Sequence, residues 1–227
     1  PNAWVYIDIK SDDIGGYVEK ARQLIDEKVS LPPGYTLSWS GQFEYMQRAA
    51  ERLKLVIPLT LLLIFLLLYL NFRNIRSPLI VMLSIPFASI GGLWLLYWLG
   101  FNFSVAVAVG FIALAGVAAE IGVLVLTFID QKIDEVRKQN PQQKLTKEAI
   151  WQAVFSGSAE RVRPVAMTAI AITAGLLPIL WSHGTGSDVM QRIAAPMVGG
   201  MISVTVLALF VLPLIYGLVL QFIERRK

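Results

Sequence analysis

Three residues have types and surroundings suited to chemistry. Glu120 is the acid in "FIALAGVAAEIGVLVLTFID", which begins at Phe111. Between Phe103 and Ile129 no other residue is charged. A carboxylate in hydrocarbon costs several kcal/mol, more than a surface ion pair returns. Such a group must face protein or water, or hold a proton, and burial favours the protonated form. A side chain that binds and releases a proton at mid-membrane depth is what proton coupling requires. The alternative is a neutral, hydrogen-bonded structural glutamate. In a helix Val109, Ala113, Gly116, Glu120, Val123 and Thr127 share one face. Its small residues permit close approach of another helix. Thr168 lies one turn inside an apolar segment and either joins a polar path or bonds its own i−4 carbonyl. Met190 stands in the polar stretch "GSDVMQR". A thioether there is either an ordinary filler or a soft ligand for Cu(I) or Ag(I).

These residues need elements to hold them. The chain has 227 residues, 56% of them hydrophobic, 16% charged, with a mean hydropathy of +0.61. A soluble domain carries about 25% charged residues, so the composition points to a membrane protein. The net charge of +4 does not suggest a nucleic-acid partner. There is no cysteine and one histidine, His183, so thiolate sites and histidine clusters are excluded. No G-x-x-x-x-G-K-[ST] phosphate loop is present. The chain opens on Pro1 without a signal peptide, and the expectation is a piece of a longer protein.

A bilayer core needs about 20 apolar residues in a helix. Five segments meet that need within 43–227: about 43–70, 79–99, 103–129, 165–182 and 193–222. Pro178 predicts a kink in the fourth. The pairs Gly91–Gly92 and Gly199–Gly200 predict tight helix packing. The first fifty residues differ, with five basic and seven acidic side chains. "WVYIDIKS" reads as a strand with Val5, Ile7 and Ile9 on one face. A helix follows, with Val18, Ala21, Leu24, Ile25 and Val29 at helical spacing, and then a second strand over Tyr35–Ser40. The fold class expected is therefore a mostly α membrane protein, five transmembrane helices preceded by a small β-α-β unit over 1–42.

Basic residues set the orientation. "NFRNIR" holds Arg73 and Arg76, the 130–164 connection holds seven Lys or Arg, and "ERRK" closes the chain. "GFN" and "HGTGSDVMQR" between them hold only Arg192. By the positive-inside bias the basic connections and the C-terminus are cytoplasmic, and residues 1–42 lie on the opposite side. Within 130–164, "LTKEAIWQAVFSG" predicts a short helix capped by Thr146, with Leu145, Ile150, Trp151 and Val154 toward one side, suited to the membrane surface.

Four stretches together resemble a known family: "LSWSGQFEYMQRAAERLKLVIPLTLLLIFLLLYLNFR", "SVAVAVGFIALAGVAAEIGVLVL", "RVRPVAMTAIAITAGLLPILW" and "GSDVMQRIAAPMVGGMIS". The chain is similar over its whole length to heavy-metal efflux pumps of the resistance–nodulation–division superfamily, most of all to the copper/silver branch. The resemblance implies the last piece of a periplasmic α+β porter domain followed by spans eight to twelve of twelve. It implies a secondary transporter rather than an enzyme, a proton/cation antiporter of the bacterial inner membrane. It further implies a homotrimer working with a periplasmic adaptor and an outer-membrane channel. The implied proton-relay acid is Glu120, with Thr168 beside the path, and the implied step on a methionine path for the transported metal is Met190. No cofactor is implied. One position departs from the pattern: Val165 stands where the copper/silver branch has a lysine after "RVRP", leaving the acids without that cation unless Arg161 or Arg163 supplies charge. The departure keeps a Zn(II)/Co(II)/Cd(II) exporter open beside Cu(I)/Ag(I). An organic-solute pump of the same superfamily fits the motifs less well, and a non-transporting scaffold less well still.

Overall fold

A computed structural model describes residues 3–9, 13–30, 32–139 and 146–226. It contains α1 (Ile14–Lys28), α2 (Gln42–Phe72), α3 (Arg76–Leu99), α4 (Val105–Gln139), α5 (Lys147–Leu180), α6 (Ser187–Val206) and α7 (Leu212–Arg226). A five-residue π-helical turn, Leu207–Val211, joins α6 to α7. Five helical stretches are long and apolar enough to cross a membrane, the fifth running from Ser187 to Arg225 through that turn. The turn has a local cause. Pro213 has no N–H to give the preceding turn, and a π register re-spaces the carbonyls in front of it.

The chain divides into Pro1–Val56 and Ile57–Lys227. In the first unit, Asp13 caps α1 by accepting from the Gly16 N–H at 2.8 Å, and Val18 is buried. The β-α-β unit expected over 1–42 is absent: among the described residues there is no strand and no sheet. The flanking segments carry no regular secondary structure, and Trp4, Val5, Tyr6 and Ile7 are exposed. A strand exists only through its ladder, and two short segments without further sheet neighbours bury too little to hold one. Lys10 to Asp12 and Leu31 lie outside the described residues.

In the second unit α6 is the hub and packs against α3, α4 and α5. Glycine makes this possible. A methyl at Gly92 would lie 2.8 Å from the Pro196 carbonyl oxygen, and one at Gly157 would lie 2.9 Å from the Ile129 Cα. Gly91 and Gly199 press on each other's backbones in the same way. Helices in lipid gain little from hydrophobicity, so this close van der Waals approach is what holds them. The core it encloses includes Val81, Leu114, Leu126, Ile129, Val154, Val165, Met201 and Leu212.

The helix ends follow from local chemistry. Gly100 adopts a left-handed φ of 67° and closes α3, while the Phe101 N–H reaches the Leu96 carbonyl at 3.1 Å. Thr146 caps α5 by accepting from the Ala149 N–H at 3.2 Å. The "KEAIWQAVFSG" stretch is not a separate surface helix: it is the first part of α5, continuous with the span. Ile150 and Val154 are buried in the core, Trp151 packs against it, and Leu145 lies outside the described residues. Likewise α4 runs past Ile129 to Gln139. At about 1.5 Å per residue its 35 residues reach some 52 Å, well beyond a hydrocarbon core of about 30 Å.

Candidate functional site: a lone carboxylate on α4

Glu120 sits in the middle of α4, and the face that carries it is open. Ala113, Gly116 and Glu120 are exposed, Val109 is 44% exposed, and a methyl at Gly116 would meet nothing within 4 Å. The opposite face of α4, with Leu114, Ala118, Ile121 and Val125, is buried in the core. Packing thus rotates the acid away from the bundle. Among the described residues Glu120 makes no hydrogen bond and no ion pair. Its neighbours offer no bulk to cover it, so this stripe has room for a helix or for water.

Among the described residues neither of the other two expected residues hydrogen-bonds to it. Thr168 is exposed on α5, and its hydroxyl donates to the Pro164 carbonyl at 3.1 Å. Its oxygen keeps acceptor capacity. Met190 is one turn into α6 and 51% exposed. Its own N–H donates to the Gly186 carbonyl at 3.3 Å. Two neighbours fix that end of the bundle. The Gln191 amide donates to the Ser182 carbonyl at 2.7 Å. The Arg192 guanidinium donates to the Asn102 carbonyl at 3.3 Å and lies 5.5 Å from the Phe101 ring centre. The basic-poor connections are therefore tied to each other at one end. Among the described residues no group of three or more His, Cys, Asp or Glu is placed to hold a metal ion.

Val165 is buried and belongs to the same core cluster as Ala169. Arg161 does not take the place of the missing lysine, because its guanidinium lies over the Phe128 ring, 3.4 Å from the centroid. The basic-rich end is tied by Lys132 to Glu160 at 3.0 Å and by Arg137 to Glu224 at 2.8 Å.

A second polar group escapes a reading of the sequence. Buried Tyr216, on α7, donates to Asp130 on α4, and its oxygen lies 3.4 Å from the Ser77 hydroxyl on α3. The signal was a tyrosine inside an apolar helix, since a buried phenol needs a partner. The partner's identity was not readable locally.

Residues 1–220 match the model of the AcrB/AcrD/AcrF family. The chain belongs to that family. Within it, the chain is 50% identical over 218 residues to the cation efflux system protein CusA of Escherichia coli (strain K12), covering 96% of this chain and 21% of CusA. It is 48% identical over 227 residues to the putative cation efflux system protein SilA of Salmonella typhimurium, covering 100% of this chain and 22% of SilA. A crystal structure of a heavy metal efflux pump superposes with a TM-score of 0.75 at 36% identity, over 92% of this chain and 20% of that one. The expected kinship with heavy-metal efflux pumps of the resistance–nodulation–division superfamily holds. The chain spans about a fifth of the length of these relatives.

Proposed function

We propose that this chain is the C-terminal membrane portion of a proton-driven heavy-metal exporter, a secondary transporter of the bacterial inner membrane. The observation that carries the reading is Glu120: a solitary acid at mid-span, unpaired among the described residues, on a face of small residues that they leave open. A charged carboxylate there is costly in lipid and tolerable against water or a partner helix. Protonation removes that cost, so the two protonation states favour different packings of the open face. That difference in free energy is what lets a proton gradient drive alternation between conformations. Thr168 extends the polar path toward the basic-rich end of α5. By the positive-inside bias that end and the C-terminus are cytoplasmic and residues 1–42 periplasmic.

The cargo is Cu(I) or Ag(I). Met190 supports this through its exposed thioether at the periplasmic end, a ligand that suits soft monovalent ions. The pump assembles as a homotrimer with a periplasmic adaptor and an outer-membrane channel. A divalent exporter for Zn(II), Co(II) or Cd(II) is the second reading. It is favoured by Val165, which fills with core packing the position where the copper/silver pattern has a lysine. Proteoliposomes of the full-length pump decide between them. With an imposed proton gradient, Cu(I) or Ag(I) flux without Zn(II) flux is expected. Zn(II) flux alone supports the second reading, and gradient-independent flux of either metal overturns the antiport reading.

A further inference from the structure

We propose that Asp130 is a second proton-carrying carboxylate, set between Glu120 and the basic-rich end of the bundle. The inference rests on the reading of Glu120 as the coupling acid. Asp130 lies ten residues after Glu120 on α4, about 15 Å along the axis. At 100° per residue, Glu120, Thr127, Asp130 and Asp134 fall within about 80° of one another on the helix circumference. They form one stripe of carboxylate, hydroxyl, carboxylate and carboxylate, running from mid-span to the end that carries Lys132 and Arg137.

Two features mark this stripe as a path and not as packing. The first is the direction of its hydrogen bonds. Tyr216 has one hydroxyl proton and gives it to Asp130 Oδ1. The Ser77 hydroxyl, 3.4 Å from the Tyr216 oxygen, must then be a donor. The chain Ser77, Tyr216, Asp130 thus points its protons at the carboxylate and steadies the anion. Among the described residues Oδ2 has no partner, so it is free to receive a proton. The second feature is Thr127. Thr168 and Thr205 bond back to their i−4 carbonyls at 3.1 and 2.7 Å, as helical threonines commonly do. Among the described residues the half-buried Thr127 hydroxyl makes no hydrogen bond. It is left to relay between Glu120 and Asp130.

The groups around Asp130 do not compete for it. On α7 and α3 the facing groups are Tyr216 and Ser77, and on α4 itself Asp134 is one turn on. Three cations of that end are engaged elsewhere, Lys132 by Glu135 and Glu160, Arg137 by Glu224, and Arg161 over Phe128, and on α3 Arg76 precedes Ser77. The charged residues of α6, Asp188 and Arg192, lie in its first two turns, at the opposite end of the bundle. In the transfer, a proton leaves the Glu120 carboxyl and passes through water and the Thr127 hydroxyl. It binds Asp130 Oδ2 and then departs to water at the basic-rich side. Glu120 and Asp130 both return to carboxylates.

The test uses the full-length pump in proteoliposomes, with proton and metal flux measured together and thermal unfolding as a separate readout. Asp130→Asn keeps an acceptor for Tyr216 but cannot carry a proton. It is expected to cut both fluxes about a hundredfold or more, the scale of losing a proton-transfer group, with unfolding unchanged. Asp130→Glu restores flux. Tyr216→Phe keeps the carboxylate and moves the pH midpoint of flux, which a purely structural contact would not do. Full flux in Asp130→Asn, while Glu120→Gln is inactive, makes Asp130 a structural acceptor and overturns the proposal while the Glu120 reading stands. Flux lost together with thermal stability, and unrecovered in Asp130→Glu, also overturns it. Full flux in Glu120→Gln defeats the earlier reading instead.

Discussion

Met190 is the residue whose chemistry separates most cleanly from its packing. Its side chain is half exposed and its turn is held by backbone and by Gln191. Met190→Ile in the full-length pump is expected to leave folding unchanged and to lower Cu(I) or Ag(I) export at matched protein levels. Unchanged export kinetics would make it a filler. Glu120 was legible in the sequence because a single charge in an uncharged run shows without any tertiary information. Thr168 was legible only as a choice, and its bond to Pro164 is the local one. Asp130, Tyr216 and Ser77 were not legible as a group. Asp130 sits at the edge of the apolar run, and its partner is 86 positions away, with Ser77 a further 139 from Tyr216. Such pairings exist only once α3, α4 and α7 are packed.

At the scale of elements, the bundle depends on glycine contacts between backbones. Valine at Gly199 would drive a branched side chain into the Gly91 backbone, with its Cβ 2.7 Å from the Leu95 Cβ. Backbone cannot yield as a flexible side chain can, so Gly199→Val is expected to cost about 1–3 kcal/mol or more. Gly175→Ala, with nothing within 4 Å, is the control and is expected to leave stability unchanged or slightly raised. Denaturant unfolding of the detergent-solubilised protein measures both, and equal stabilities would refute the packing account. The apolar spans were readable because about 20 consecutive apolar residues admit few other structures. The Gly–Gly pairs were readable for the same kind of local reason. The β-α-β unit was misread because alternation in "WVYIDIKS" reports a preference for extended backbone, while a sheet also needs neighbours. The helical continuation over 130–139 was missed, and the helix starting at Lys147 with its Thr146 cap was read as separate from the span, because their charges look like a connection. In fact the charged residues decorate helices that run on past the apolar core.

At the scale of the molecule, the open face of α4 has room for a partner helix or for water. Gly116→Leu is expected to be harmless to the 227-residue chain alone, because no described residue approaches that position. In the full-length pump the same change is expected to obstruct the packing around Glu120 and lower coupled flux. Equal flux with and without the leucine would show that no helix closes there. The chain alone in liposomes is expected not to move metal, since the acid has no second packing to alternate with. The central claim is that Glu120 couples protons to export through its titration. The most direct measurement is proton flux and metal flux in the same proteoliposomes for wild type, Glu120→Gln and Glu120→Asp. The account predicts an intact, membrane-inserted Gln protein with both fluxes strongly reduced, and a partial return with Asp, which titrates but is one methylene shorter. Full coupled flux in Glu120→Gln would contradict it.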